Sequence, residues 1–313
     1  MNFEFSEEQQ MLRDQARSYL TQHCPTTLVR RVLNNRESHD ADLYKGIAEM
    51  GWTATTIPEE YGGLGMSYLE LVVIAEELGR ACAPVPFSST VYLAAEAIMA
   101  LGTEAQKQAW LPKFADGTAI GCFAMGEAGG RVTPDQMSTR MQDGVLNGTK
   151  VPVADGGIAN VAIVVCASEK GDGATLALVD LGQDAVSKDN VQMIDFSRGH
   201  SELVFNGACA ETLGEEGAGW TAVESLMNTA AVLFAWEQIG IADKALEQAR
   251  EYALGRFAFG RSIASYQAIK HKLAKMYVKN TLARSNAYYG AWALNAQASD
   301  LAVASATSRV AAI

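Results

Sequence analysis

Arg256, Phe259 and Gln267 lie close together in the chain and carry complementary chemistry. A guanidinium matches phosphate oxygens in both charge and fork geometry. A phenyl ring offers an aromatic surface, and a carboxamide both donates and accepts. Taken alone, Arg256 serves equally well as the cap of a helix C-terminus. Candidate bases are less evident. Glu224 and Glu237 fall on a long helical stretch, where a glutamate usually faces solvent or an interface. Glu237 shares a helix face with Ala230, seven residues before it. The histidines are His23, His39, His200 and His271, and no two form a dyad in sequence. Tyr288, Tyr289 and Trp292 read as core or interface residues.

The five cysteines, Cys24, Cys82, Cys122, Cys166 and Cys209, contain no CxxC pair and no Cys/His cluster. A zinc site is therefore not expected, and no metal is assigned. Reduced thiols of a cytoplasmic protein are the plain reading. The chain has 313 residues, 49% of them apolar, with a formal net charge of −11. That length calls for two or three subdomains. The acidic balance argues against nucleic acid and anionic membrane as main partners. The N-terminus lacks the features of a signal peptide, and the apolar runs are shorter than the ~20 residues of a membrane span.

The elements that must position these side chains change character twice. Residues 1–118 read as an α-helical domain. Ser6 and Gln9 form a capping-box pattern, apolar residues recur at Leu43-Ile47-Met50 and Leu69-Val72-Ile74-Leu78, and TIPEEYGGLGMS makes a loop. Residues 119–213 read as an antiparallel β-domain, with strands at 161–167, 174–181 and 202–209 and turns such as EKGDG between them. Within it, Asn147-Gly148 and Gly156-Gly157 read as tight turns. They flank Lys150-Val151-Pro152-Val153, where the proline demands an edge strand or a bulge. Residues 214–313 read as a helical bundle: one helix over 220–254, a second over 265–298 and a third from Asp300. The run AVASATSRVAAI carries no stop signal. An incomplete bundle is therefore expected, finished by further residues or by another subunit. The fold class is α+β, mostly α.

Several stretches resemble the acyl-CoA dehydrogenase family. TIPEEYGGLG at 56–65 resembles that family's PEEYGG loop. GTEAQKQAWLPKFADGTAIGCFAM at 102–125, NGTK at 147–150, GEEGAGW at 214–220 and RFAFGRSIASYQAIKHKLAKM at 256–276 also match, in order along the chain. The resemblance implies a helical domain, a β-domain and a four-helix bundle. It implies FAD, an acyl-CoA thioester, and desaturation at Cα–Cβ: a glutamate takes the α-proton while flavin N5 takes a hydride. It further implies a tetramer and an electron-transfer flavoprotein as electron acceptor.

The resemblance places half of the FAD site on Arg256, Phe259 and Gln267, which match the family's R-x-x-F-G…Q motif and would reach a neighbouring subunit's cofactor. The other half departs from the pattern. F-A-x-T-E-P-x-x-G-S-D appears as Phe123-Ala124-Met125-Gly126-Glu127-Ala128-Gly129-Gly130-Arg131-Val132-Thr133. W-I-T-N-G appears as Pro152-Val153-Ala154-Asp155-Gly156. Gly126, Val132, Pro152 and Ala154 thus stand where the family has flavin-contacting side chains, leaving main-chain groups at Met125, Gly126 and Val153. Each lost hydrogen bond weakens binding by ~1 kcal/mol or more. A lost aromatic stack costs ~0.5–1.5 kcal/mol, so affinity falls roughly a hundredfold or more. Of the family's two locations for the catalytic glutamate, one is Ala230 here, followed by Ala231, and the other lies beyond Ile313.

This profile is expected of the non-catalytic chain of a heteromeric acyl-CoA dehydrogenase, which binds FAD only at an interface with a second, family-like chain. By analogy its pathway is fatty acid or steroid side-chain degradation. An active homotetrameric acyl-CoA dehydrogenase is the alternative, and a non-enzymatic acyl-CoA-binding or scaffold protein is the third reading.

Overall fold

The computed structural model describes residues 5–129, 132–168 and 170–313. Gly130, Arg131 and the Glu169 of the EKGDG turn lie outside the described residues. The first part is helical: α1 (Glu7–His23), α2 (Thr26–Asn35), α3 (Ala41–Glu49), α4 (Tyr68–Ala81), α5 (Glu96–Leu101) and α6 (Glu104–Ala115). A π-helical segment, Ser88–Ala95, leads into α5. The strands follow: β1 (Gly121–Ala124), β2 (Arg140–Gln142), β3 (Val145–Ala154), β4 (Val161–Ala167), β5 (Ala174–Asp180), β6 (Val186–Val191), β7 (His200–Cys209) and β8 (Glu211–Leu213). Then come α7 (Gly219–Gly255), a small hairpin of β9 (Phe257–Ala258) and β10 (Arg261–Ser262), α8 (Gln267–Asn295) and α9 (Leu301–Ala312).

Local signals explain most of these boundaries. Ser6 caps α1: its hydroxyl accepts from Gln9 N at 3.2 Å, and Gln9 Oε1 accepts from Ser6 N at 3.0 Å. The same reciprocal box opens α4 with Ser67 and Glu70, and α6 with Thr103 and Gln106. Each satisfies donors that a helix start leaves unpaired.

The chain packs as two compact units, one of residues up to Pro25 with Ser67–Ala83 and Asn228–Ile313, the other of Thr26–Met66 with Pro84–Met227. The second holds the sheet, in the order β6-β7-β3-β2-β4-β5-β8. Most pairings are antiparallel, as expected, but β1 runs parallel to β4 and β2 touches β4 in parallel through Arg140 and Ala167. The sheet is therefore mixed. All of β4 is buried. Val161, Ile163 and Val165 face one core with Leu111 and Phe114, while Ala162, Val164 and Cys166 face another with Leu146, Leu203 and Phe205. Burial on both faces accounts for its unbroken apolar run.

One turn expectation fails. Asn147 and Gly148 lie inside β3, beside a register shift after Leu146. Gly148 is required there because a Cβ would come within 2.6 Å of Thr139 Cα. The hairpin turn between β2 and β3 is Asp143-Gly144 instead, with φ of 51° and 77°. Two consecutive positive φ values suit the right-handed twist of a two-residue hairpin, and Asp-Gly supplies them at little cost.

In the helical unit, α4 and α7 approach through glycines. A Cβ on Gly79 would stand 2.0 Å from Glu237 O, and one on Gly240 1.9 Å from Glu76 O. Glu76, only 4% exposed, accepts from Arg284 at 2.6 and 3.1 Å and from Arg13 at 3.2 Å. Arg284 also donates to Asp243 at 2.5 Å. Burial works against the charge on Arg284, but Glu76 and Asp243 outweigh it and raise its pKa.

Candidate functional site

The segment after β1 and the middle of β3 form one wall of the sheet unit. Val151 N donates to Gly126 O at 2.9 Å, which ties the two together. Pairing of β3 with β7 is interrupted between Lys150 and Val153. Pro152 sits in that interruption, where no ladder donor is needed, and it is exposed. The proline thus obeys the bulge rule inside an interior strand.

Lys150 holds the wall from behind. It is fully buried, and its Nζ donates to Met125 O at 3.1 Å and to Glu127 Oε1 at 2.7 Å. Glu127 also accepts from Ser138 N at 2.8 Å, Ser138 Oγ at 2.7 Å and Thr139 N at 3.0 Å. Burial pushes the Glu127 carboxyl up, but Lys150 and these hydrogen bonds outweigh it and bring its pKa down to about 2. Burial also lowers the pKa of Lys150, and Glu127 partly opposes this. The pairing escapes composition-based reading, because a lysine inside a strand gives no sign of which way it points. The one available signal is that Glu127 and Lys150 both fall in stretches that resemble the family.

The front of the wall is chemically bare. Gly126, Val132, Pro152 and Ala154 provide no side-chain hydrogen-bond donor and no aromatic ring. A Cβ at Gly126 would lie 2.9 Å from Val151 O, tighter than ordinary contact. The main-chain carbonyls are already engaged: Met125 O with Lys150, Gly126 O with Val151 N, and Val153 O with Gly156 N at 3.3 Å. Val153 itself is buried.

The second candidate set sits in the helical unit. Ser262 Oγ donates to Ala253 O at 2.8 Å and Leu254 O at 3.0 Å, and Tyr266 Oη donates to Ala258 O at 2.9 Å. Arg261 lies 4.0 Å over the Tyr266 ring. These contacts fix the β9–β10 hairpin while its other side chains point outward. Phe259 is 99% exposed at φ 52°, and Arg256 and Gln267 are exposed at the end of α7 and the start of α8. Arg256 thus immediately precedes β9, Phe259 lies in the turn of the hairpin, and Gln267 opens the next helix. Ala230 is buried in α7, Glu224 is exposed, and Glu237 is half-buried with its charge acting on Arg309.

Helical N-terminal and C-terminal parts with a mixed sheet between them in the chain match the acyl-CoA dehydrogenase fold. Two family models match this chain: acyl-CoA dehydrogenase, N-terminal domain, over residues 6–118, and acyl-CoA dehydrogenase, C-terminal domain, over residues 217–312. The acryloyl-CoA reductase (NADH) of Anaerotignum propionicum is 31% identical over 93% of this chain and 77% of its own length. The chain belongs to the acyl-CoA dehydrogenase family. Butyryl-CoA dehydrogenase from Megasphaera elsdenii superposes with a TM-score of 0.90 at 27% identity, covering 100% of this chain and 85% of that one. The Tcur3481-Tcur3483 steroid ACAD superposes with a TM-score of 0.86 at 28% identity, covering 97% and 82%.

Members of this family are FAD-dependent flavoproteins, and tetramers are typical of it. The side chains of Gly126, Val132, Pro152 and Ala154 do not fit a flavin ring, since they can neither donate to it nor stack on it. The exposed Arg256 and Gln267 carry donors that suit phosphate oxygens, and Phe259 offers an aromatic face. Among the described residues, no helix is long and apolar enough to cross a membrane.

Proposed function

We propose that this chain is the non-catalytic subunit of a heteromeric acyl-CoA dehydrogenase that desaturates an acyl-CoA at Cα–Cβ. It lends Arg256, Phe259 and Gln267 to FAD held mainly by an unlike, family-related chain. The observation that carries the reading is the joint loss of side-chain chemistry at Gly126, Val132, Pro152 and Ala154. It occurs on a wall whose Lys150–Glu127 support is intact. Loss of the whole fold would explain neither half of that pattern.

The base assignment agrees with this role. Ala230 is buried on α7, and neither Glu224 nor Glu237 is offered as a replacement. The electron acceptor is an electron-transfer flavoprotein, carried over from the family resemblance, and the setting is the cytoplasm, as the reading of the cysteines as reduced thiols suggests. A bulky acyl group such as a steroid side chain is supported only by similarity to the steroid ACAD above.

An active homotetramer is the competing reading, favoured by 31% identity to a full-length reductase. Isolation of the complex from its native cells, with native mass spectrometry and flavin quantitation, separates the two. Two unlike chains with fewer flavins than chains support the proposal. A homo-oligomer with one flavin per chain refutes it.

A further inference from the structure

Residues 252–299 contain no aspartate or glutamate, although the chain's 36 acids would place about five in a stretch of that length. The same stretch holds seven lysines and arginines, so its formal charge is +7 while the rest of the chain is at −18. It covers the β9–β10 hairpin and all of α8. Arg284 is paired with Glu76 and Asp243 inside the helical unit, and Arg261 lies over Tyr266. Among the described residues, Lys270, Lys272, Lys275 and Lys279 have no carboxylate partner, and all four are exposed.

Lys272, Lys275 and Lys279 stand at i, i+3 and i+7, which places them in one row along a flank of α8. Val278 and Leu282, four residues apart, form the stripe beside it and are 54% and 59% exposed. Lys275 lies three residues before Val278, and Lys279 three before Leu282, so cationic and apolar groups adjoin on one surface. The buried residues of α8, Ala283, Ala287, Ala291 and Leu294, lie on the side away from Val278 and Leu282.

This arrangement is unfavourable in the chain by itself. Like charges three and four residues apart on a helix repel. Lys270 and Lys272 sit near the helix N-terminus, where the dipole disfavours cations. α8 opens with no acid in its first turn and no side-chain cap. By contrast, α1, α4 and α6 each open with a capping box and an acid. Carboxylates laid along the lysine row would offset both sources of repulsion.

We propose that this flank of α8 is the surface that selects the unlike chain of the heteromer, which docks there with aspartates or glutamates set around apolar side chains. The inference rests on the heteromeric reading above and adds the chemistry of the contact. A second copy related by a two-fold axis through this flank would set the lysine row against itself. A phosphate polymer would meet Val278 and Leu282 between the cations, on a chain otherwise at −18. Charge complementarity of this kind governs partner choice and association rate.

Carbodiimide cross-linking of the two-chain complex, read by peptide mass spectrometry, tests the contact, because it joins a lysine amine directly to a carboxylate. Links from Lys272, Lys275 or Lys279 to acids of the unlike chain are expected. Links from these lysines only to acids of this same sequence overturn the proposal, as does their absence while other links between the two chains form. The combined variant Lys272→Glu, Lys275→Glu, Lys279→Glu should bind the unlike chain about a hundredfold more weakly. Its circular dichroism melting temperature should match the parent's, because all three side chains are exposed. The corresponding glutamine variant should lose less, and added salt should weaken the parent complex. Affinity of the charge-reversed variant within twofold of the parent overturns this inference and leaves the heteromer standing. A parent preparation that holds no unlike chain removes both. Heparin binding that the reversal abolishes, with binding of the unlike chain unchanged, would assign the flank to a phosphate or sulfate polymer instead.

Discussion

Replacing Lys150 with methionine removes the support of the wall while nearly keeping side-chain length. The structure sets the size of the effect. One bond, to the Met125 carbonyl, is an ordinary hydrogen bond with a net contribution of about 1 kcal/mol. The other, to Glu127, is charge-assisted and contributes about 1.5–3 kcal/mol. Glu127 keeps three donors from Ser138 and Thr139, so it is not left as a bare buried charge. Burying a thioether in place of an ammonium returns about 1 kcal/mol. The net loss is therefore about 1.5–3 kcal/mol, or roughly 3–12 °C in the melting temperature of a unit of this size. Urea denaturation followed by tryptophan fluorescence measures it, since Trp52 and Trp110 belong to the same unit. Hydrogen exchange should speed up at the amides of residues 125–128 before the rest of the sheet. A double-mutant cycle with Glu127→Gln should give a coupling of about 1.5 kcal/mol. A Lys150→Met variant within about 0.5 kcal/mol of the parent, or a coupling near zero, would refute the reasoning.

Glu127 also has a pH signature. Its folded pKa, about 2, lies below the ordinary 4.5, so its contribution to stability is complete above pH 4.5 and is lost as pH falls towards 2. Glu127→Gln should flatten that part of the stability–pH curve; an unchanged slope would exclude the pairing. Gly240→Ala should destabilise the helical unit by about 3 kcal/mol or more, because its Cβ would overlap a main-chain carbonyl that cannot rotate away; thermal denaturation reads this directly. Glu76→Gln should cost about 2–3 kcal/mol by weakening the acceptor shared by Arg13 and Arg284, and a neutral result in calorimetry would mean that Asp243 alone suffices. Gly126→Thr should not restore flavin binding by itself and should destabilise the sheet unit by about 1–2 kcal/mol, since its Cβ meets Val151 O; a stable, yellow variant would contradict this.

Much of the fold was legible because the signals were local. The Ser6 capping box, the β4 run VAIVVCA and the long apolar-faced helix that became α7 each depend on neighbours in sequence. Asn147-Gly148 misled for the same reason. Its dipeptide favours a tight turn, but pairing with β7 keeps it in a strand, and Asp143-Gly144 makes the turn. The parallel contact of β1 with β4 had no local trace, because a long-range pairing leaves none in short windows. The candidate site divides along the same line. The lost functional groups at Gly126, Val132, Pro152 and Ala154 can be read residue by residue. The burial of Lys150, the carbonyls of Met125 and Gly126 engaged by Lys150 and Val151, and the Ser89–Asp155 contact cannot, since each joins segments more than twenty residues apart.

The central claim is that this chain's own wall does not hold a flavin. Equilibrium titration of the purified chain alone with FAD, followed by quenching of flavin fluorescence, tests it most directly. The account predicts no saturable binding below ~100 µM, consistent with the loss of several ring contacts. One FAD per chain with a Kd near or below ~1 µM, and a bound spectrum that bleaches when an acyl-CoA is added, would contradict it.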